Sequence, residues 1–285
     1  FRYLSLYMNV ASRIRAGEFE LNHHWTTWQL LQHLSQGKSI NHRVTIPEGW
    51  NYEQIVRRLV KNELGDSEVF MSYFKDTHLL NKTGVAQAST LEGFLFPETY
   101  FFSKIDSEKQ ILQTMIRHYR KAFTEEFQKR ANELELTEYQ VLILASIIEK
   151  ETGSNVDRPL ISAVFHNRLK RKMRLDSDPT VIYGIKDFNG NLTRKDLRTP
   201  TPFNTYRRYG LPPTPISSPG HDSIKSALYP AEEVFLYFVA RGDGRSQFSR
   251  SLREHNKAVN HFQKNRRVRK MMRKKRLEMN SSSTL

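Results

Sequence analysis

The segment Leu142-Ile143-Leu144-Ala145-Ser146-Ile147-Ile148-Glu149-Lys150-Glu151-Thr152 decides how the chain is read. It is too apolar for a surface helix, yet it ends in two carboxylates within one turn of its apolar part. On a helical wheel, Ser146 and Lys150 mark a polar side. Glu151 falls between Leu144, Ile147 and Ile148 and points towards the core side; Glu149 sits nearer Ala145 and Leu142, at the polar edge. A carboxylate held against apolar walls has its charged form disfavoured and stays protonated nearer neutral pH, as a general acid must. An acid that has left the buried turn, solvated or paired with an arginine, fits the same helix. From this segment alone both readings stand.

Upstream, Thr137 can cap this helix with Glu138 and Gln140 in its first turn, and Asp106 or Ser107 can cap a long amphipathic helix through about Asn132. Before these, Leu91–Tyr100 is dense in aromatics but carries two acids, Gly93 and Pro97; it is either a loop packing its rings into a core or a wall facing substrate. The first 80 or so residues alternate in short units. A turn over Arg13–Glu18 leads to a strand at Glu18–Leu21, and a helix at Trp28–Ser35 is capped by Thr26 or Thr27. A strand follows at Arg43–Ile46, then a helix capped by Asn51 and a helical segment at Asp66–Lys75.

Downstream, residues 171–220 are rich in Pro, Gly, Asn, Thr and Tyr and show no long helical pattern, which marks a long functional loop region. Phe235–Ala240 and Ser246–Ser249 read as a hairpin turned by Gly242-Asp243-Gly244, and a last helix starts near Ser251. The fold class expected is α+β, in three parts. A small N-terminal module spans 1–85, a mixed α+β domain with a loop-rich cleft spans 90–263, and a basic tail spans 264–285.

The 285 residues carry a net charge of +15 and no cysteine, which excludes disulfide scaffolds, cysteine nucleophiles and thiolate metal sites. Residues 264–285 hold nine basic residues and one acid, so they supply +8 and leave +7 for the rest. A tail of this kind can meet anionic lipid headgroups or remain a solvated, partly helical end. It also raises a nucleic-acid-binding reading. That reading is disfavoured, because the excess charge sits in a terminal run and not on the folded body. The ten histidines do not fall in paired ligand spacing and no Gly-rich phosphate loop appears, so no metal or cofactor is expected. The longest apolar stretch, Val141–Ile148, is too short to cross a bilayer. Phe1 opens an apolar-rich segment and is read as a truncated start.

Ala145–Thr152 resembles the signature of the endolytic murein transglycosylases, the YceG-like family. Further motifs follow in the family's order: Val164-Phe165-His166-Asn167-Arg168-Leu169, Met173–Gly184 with Asp176-Ser177-Asp178-Pro179-Thr180, Phe203-Asn204-Thr205-Tyr206, Gly210–Ile216, Tyr237–Ala240 and Glu254-His255-Asn256. Leu91–Tyr100 resembles the family's entry motif, and the likeness covers about residues 15–262. Thr214 stands where the family usually has Gly.

The resemblance implies a LysM-like N-terminal subdomain and Glu151 as catalytic acid and base. It implies cleavage of the MurNAc-β-1,4-GlcNAc bond within nascent glycan strands to 1,6-anhydroMurNAc ends, which stops strand elongation. Asn167, Asp178, Thr180, Tyr183, Asn204, Thr205, Tyr206, Glu254 and Asn256 become candidate substrate-binding residues, Asn204 and Tyr206 foremost. A single-pass inner-membrane anchor outside this chain, a periplasmic catalytic domain and peptidoglycan synthases as partners are implied too. The rival chemistry is a lysozyme-type hydrolase with Asp178 opposite Glu151.

Overall fold

The computed structural model describes residues 1–14, 17–37 and 39–282, without the side chains of 278–282. Helix α1 (Arg2–Tyr7) and helix α2 (Thr27–Gln36) come first. The Thr26 hydroxyl and the Gln29 side chain form a reciprocal cap at the start of α2. The turn expected over Arg13–Glu18 includes Arg15 and Ala16, which lie outside the described residues. No strand forms at Glu18–Leu21. Glu18 meets the next segment through its carbonyl, which accepts from Ile40 N at 2.7 Å, and through its carboxylate on His42.

Strand β1 (His42–Thr45) is followed by α3 (Tyr52–Lys61), α4 (Ser67–Ser72) and α5 (Thr77–Thr83). Asn51 and Gln54 cap α3 reciprocally, and Asp66 and Asp76 cap the next two. Strand β2 (Thr99–Phe102) then returns antiparallel to β1, with Val44 opposite Tyr100. The sheet therefore draws its strands from both sides of residues 85–90, and one buried cluster runs across them from Val44 to Leu228.

Leu91, Phe94 and Leu95 are fully buried, so this loop packs into the core. The Phe94 ring meets Tyr119 edge-on at 5.1 Å and stacks on Tyr139 at 6.2 Å. Gly93 makes the turn possible. Its φ is +85°, and a Cβ there would stand 2.7 Å from that of Pro215.

The long helix expected from Ser107 to Asn132 is two helices, α6 (Glu108–Ala122) and α7 (Glu125–Glu133). Phe123 turns its ring into the core, and the Thr124 hydroxyl accepts from Phe127 N and starts a new helix. A local cap of this kind competes with continuing the ladder.

Helix α8 (Glu138–Glu151) is the centre of the molecule, with α7, α9 (Arg158–Lys170), α10 (Asp178–Tyr183) and α12 (His221–Leu228) packed around it. Between α10 and α12 lies the short α11 (Arg194–Arg198). Val141–Ile148 is buried on every side, Ser146 included. The face that the wheel marks as polar at Ser146 is thus a seam. Ser146 Oγ donates to Ile143 O and accepts from Ile216 N at 3.1 Å, while Ser217 Oγ donates to Ser146 O. The segment around 214–218 is fastened along α8 this way, with Ser146 and Ser217 supplying the side-chain hydrogen bonds of the seam.

Strands β3 (Tyr237–Ala240) and β4 (Ser246–Ser249) form the expected hairpin, and α13 (Leu252–Val259), capped by Ser251, leads to α14 (Arg266–Ser282). Helices dominate. Among the described residues, strands occur only as these two two-stranded sheets, so the molecule is α+β with far more helix than the strand–helix rhythm implies. No described helix is long and apolar enough to cross a membrane.

Candidate active site

Helix α8 ends at Glu151 because Thr152 is fully extended. Its last three residues fan out in different directions. Lys150 Nζ donates to Gly49 O at 3.0 Å. Glu149 accepts from Gly220 N at 3.0 Å and faces the buried Arg158 guanidinium, which also meets Glu48 and Asp222. The wheel's placing of Glu149 at a polar edge does not hold: its side chain is 7% exposed, because α12 and Arg158 cover that edge. Glu149 is a packed ionic joint.

Glu151 takes the third direction, and among the described residues no ion pair is made to it. Ser177 Oγ donates to Glu151 Oε1 at 2.6 Å. Burial pushes the Glu151 carboxyl up to about 7. The Ser177 hydrogen bond pulls it down, the Asp178 charge pushes it further up, and Arg168 opposes that.

Ser177 is held by its surroundings. Its backbone N–H donates to Thr205 Oγ1 at 3.0 Å, and its carbonyl accepts from Thr180 Oγ1 at 2.7 Å. The Thr180 and Thr205 hydroxyls meet at 2.8 Å. From below, the buried Arg168 donates to the carbonyls of Leu236, Arg174 and Leu175 and pairs with Asp176 at 3.1 Å. Its guanidinium also lies 5.2 Å from the centre of the Tyr237 ring. One arginine fork thus ties α9, the hairpin and the loop before α10 together.

The sequence-derived candidates divide around this core. Asp178 and Tyr206 lie within electrostatic reach of Glu151, with Tyr206 O–H donating to Asp178 Oδ1 at 2.6 Å. Thr180 and Thr205 are buried and brace Ser177. Asn204 is fully buried as well. Its amide donates to the carbonyls of Asp196, Leu197 and Thr199, and its Oδ1 accepts from Tyr206 N. The expectation that Asn204 presents its amide to a sugar meets a side chain already occupied by backbone. Asn167 is occupied too, by the carbonyls of Glu233 and Phe235.

Glu254 and Asn256 lie exposed on α13. Glu254 accepts from Arg250 N at the start of that helix, so its carboxylate acts as a cap there. Tyr183 lies at the far end of α10, its ring against Phe203 and its hydroxyl donating to Glu92 at 2.9 Å.

Glu92 was not among the candidates. It is buried, accepts from Tyr52 N at 3.1 Å and from Tyr183, and burial pushes it up to about 7. It borders a cleft of about 840 Å³ between the start of α3 and the segments Ile182–Phe188 and Pro200–Phe203. Helix α10 therefore carries Ser177 and Asp178 to Glu151 at one end and Tyr183 to this cleft at the other. Ser177 and Arg168 were missed as well. An acid inside an apolar loop, and an arginine close behind the apolar run Ile161–Phe165, are the signals that point to Glu92 and Arg168. Ser177 carries no such signal. Among the described residues, no three His, Asp or Glu side chains gather to hold a metal ion.

Residues 1–261 match the family model described as the YceG-like family. The chain belongs to the YceG-like family. It is 32% identical over 273 residues to a Bacillus subtilis protein named endolytic murein transglycosylase, covering 90% of this chain and 75% of that one. A Streptococcus pneumoniae (serotype 2, strain D39) protein of the same name is 27% identical, over 91% of this chain but only 52% of its own length. The chain thus spans about half of that relative. The 2.6 Å crystal structure of a YceG-like protein from Listeria monocytogenes has a TM-score of 0.69 at 32% identity, covering 90% of this chain and 88% of that one. The YceG-like match stops before α14, so the basic helix lies outside it.

Proposed function

We propose that this chain is an endolytic murein transglycosylase with Glu151 as its single acid and base. The observation that carries this reading is the Glu151 carboxyl, raised to about 7 by burial and held by the Ser177 hydroxyl. Protonated, it gives its proton to the glycosidic oxygen as the bond from MurNAc C1 to GlcNAc O4 breaks. The carboxylate left behind is steadied by the Ser177 hydroxyl. It then takes the proton from the MurNAc 6-hydroxyl as that oxygen closes on C1, which returns the acid form and leaves a 1,6-anhydro end. No water enters, and the tethered 6-hydroxyl has the high effective concentration of an intramolecular nucleophile. One carboxyl suffices where most glycosidases need two.

Within this reading Tyr206 and Asp178 are the residues placed to meet sugar, and the cleft bordered by Glu92 and Tyr183 continues the path for the strand. The strand–helices–strand order from β1 to β2 is taken as the LysM-like subdomain, ending at β2 and not at residue 85. Nascent glycan strands are the substrate, cutting them limits their elongation, and peptidoglycan synthases are the natural partners. The site works outside the cytoplasmic membrane, tethered by an anchor outside this chain.

One observation favours a second reading, a lysozyme-type hydrolase: the Asp178 charge is near enough to act on Glu151. The experiment for the proposal is release of soluble muropeptides from purified peptidoglycan. Glu151→Gln abolishes release and Glu149→Gln, where the protein folds, does not. Undiminished release by Glu151→Gln sinks the assignment.

A further inference from the structure

Helix α14 is amphipathic in an unusual sense. At 100° per residue, Val268 and Met272 share one sector with Lys275 beside them and Met271 at its edge. The rest of the circumference holds Arg266, Arg267, Arg269, Lys270, Arg273, Lys274 and Arg276, with Leu277 among them. The apolar sector is what fixes the helix to the body. Met272 lies against the hairpin turn, where a Cβ on Gly242 would be 3.6 Å from its own, and Val268 and Met272 are half-buried. Just before the helix, Arg241 of the same hairpin lies 5.8 Å from the centre of the Phe262 ring. The cationic side is thereby turned outward, with Leu277 64% exposed.

Only one acid, Glu278, occurs in the tail. A densely cationic face is complementary to a surface of fixed negative charge. Nothing in the family's own chemistry calls for it, because the YceG-like match ends at residue 261.

We infer that the outward face of α14 is a docking surface for an anionic phospholipid bilayer. Two features select a bilayer over a soluble polyanion. Leu277 stands exposed in the middle of the cations, placed to enter an apolar layer beneath the headgroups. The tail also has no aromatic side chain on which the bases of a nucleic acid would stack. Each Lys or Arg at an anionic membrane surface contributes roughly fivefold in affinity, so a handful acting together yields a strong preference for charged over neutral lipid. Seated this way, the helix sets the hairpin β3–β4 near the membrane. That hairpin is tied through Arg168 to the loop carrying Ser177, so the bond-cutting end of the molecule has a fixed relation to the surface.

The test is co-sedimentation of the full chain with vesicles of phosphatidylcholine alone or mixed with phosphatidylglycerol. It is repeated for R269Q/K270Q/R273Q/R276Q, which keeps helix-forming residues, and for Leu277→Ser. The expected result is binding to the mixed vesicles at least about a hundredfold tighter than to neutral ones. Binding weakens with added salt, is lost in the quadruple variant and is reduced severalfold by Leu277→Ser. Equal binding to both vesicles, or full binding by the quadruple variant, overturns the inference. So does a Leu277→Ser protein that binds unchanged while soluble polyphosphate displaces it from the vesicles; that outcome makes the face a polyanion site. Because the readout is lipid binding, its failure leaves the proposed bond cleavage untouched.

Discussion

The Ser177 hydroxyl donates to Glu151 Oε1 across 2.6 Å, joining the end of the most buried helix to the loop before α10. This bond favours the carboxylate and so holds Glu151 lower than burial alone would. Ser177→Ala removes it. The carboxyl then titrates at higher pH, so the alkaline fall of kcat/KM moves to higher pH. The peak rate drops by roughly 10-fold, since the carboxylate formed on proton donation loses its donor. A pH–rate profile on isolated glycan strands checks both.

Asn204→Ala is expected to act on stability and not on substrate affinity. It leaves the carbonyls of Asp196, Leu197 and Thr199 without their donor, at a cost of about 1–3 kcal/mol. Chemical denaturation reads the loss. KM measured well below the unfolding midpoint stays near wild type; a large rise in KM with unchanged stability would restore Asn204 as a sugar ligand.

Glu92 gives a pH-dependent stability. Its folded-state carboxyl is raised to about 7, above the ordinary value, so the folded protein binds that proton more tightly than the unfolded chain. The associated stability is complete below the unfolded value and is lost as pH rises through 7. Glu92→Gln keeps an acceptor for Tyr52 N and removes the titration. Relative to wild type it therefore gains stability between pH 5 and pH 8, by up to roughly 3 kcal/mol. Thermal unfolding of both proteins at the two pH values checks the sign.

Gly93→Ala combines a positive φ with a Cβ driven against Pro215, so it destabilises by about 2 kcal/mol or more. An unchanged denaturation midpoint counts against the packing described for this loop.

How much of this was legible in the sequence depended on what kind of signal each residue carried. Local chemistry read well. Asn51, Ser107, Thr137 and Ser251 all cap the helices expected of them, and the Gly242–Gly244 turn joins the strands expected on either side. Thr124 was overlooked as a cap, because the apolar spacing on either side of it reads as one helix.

Tertiary partners read poorly. A wheel treats Ser146 and Glu149 as polar and therefore outward, whereas the segment 214–218 and Arg158 bring their partners inside. Asn204 and Asn167 carry the groups a sugar site needs, but backbone carbonyls far along the chain or across a loop use the same groups. Ser177 stood between two more conspicuous acids, and only the fold shows which of the three side chains reaches Glu151.

The central claim is that one carboxyl, Glu151, cuts the strand without water. The most direct measurement is mass spectrometry of the glycan ends released from purified peptidoglycan by the wild-type chain, with Glu151→Gln beside it. The account predicts 1,6-anhydro muramic ends from the wild type and none from the variant. Reducing muramic ends from the wild type, or anhydro ends in undiminished yield from Glu151→Gln, would contradict it.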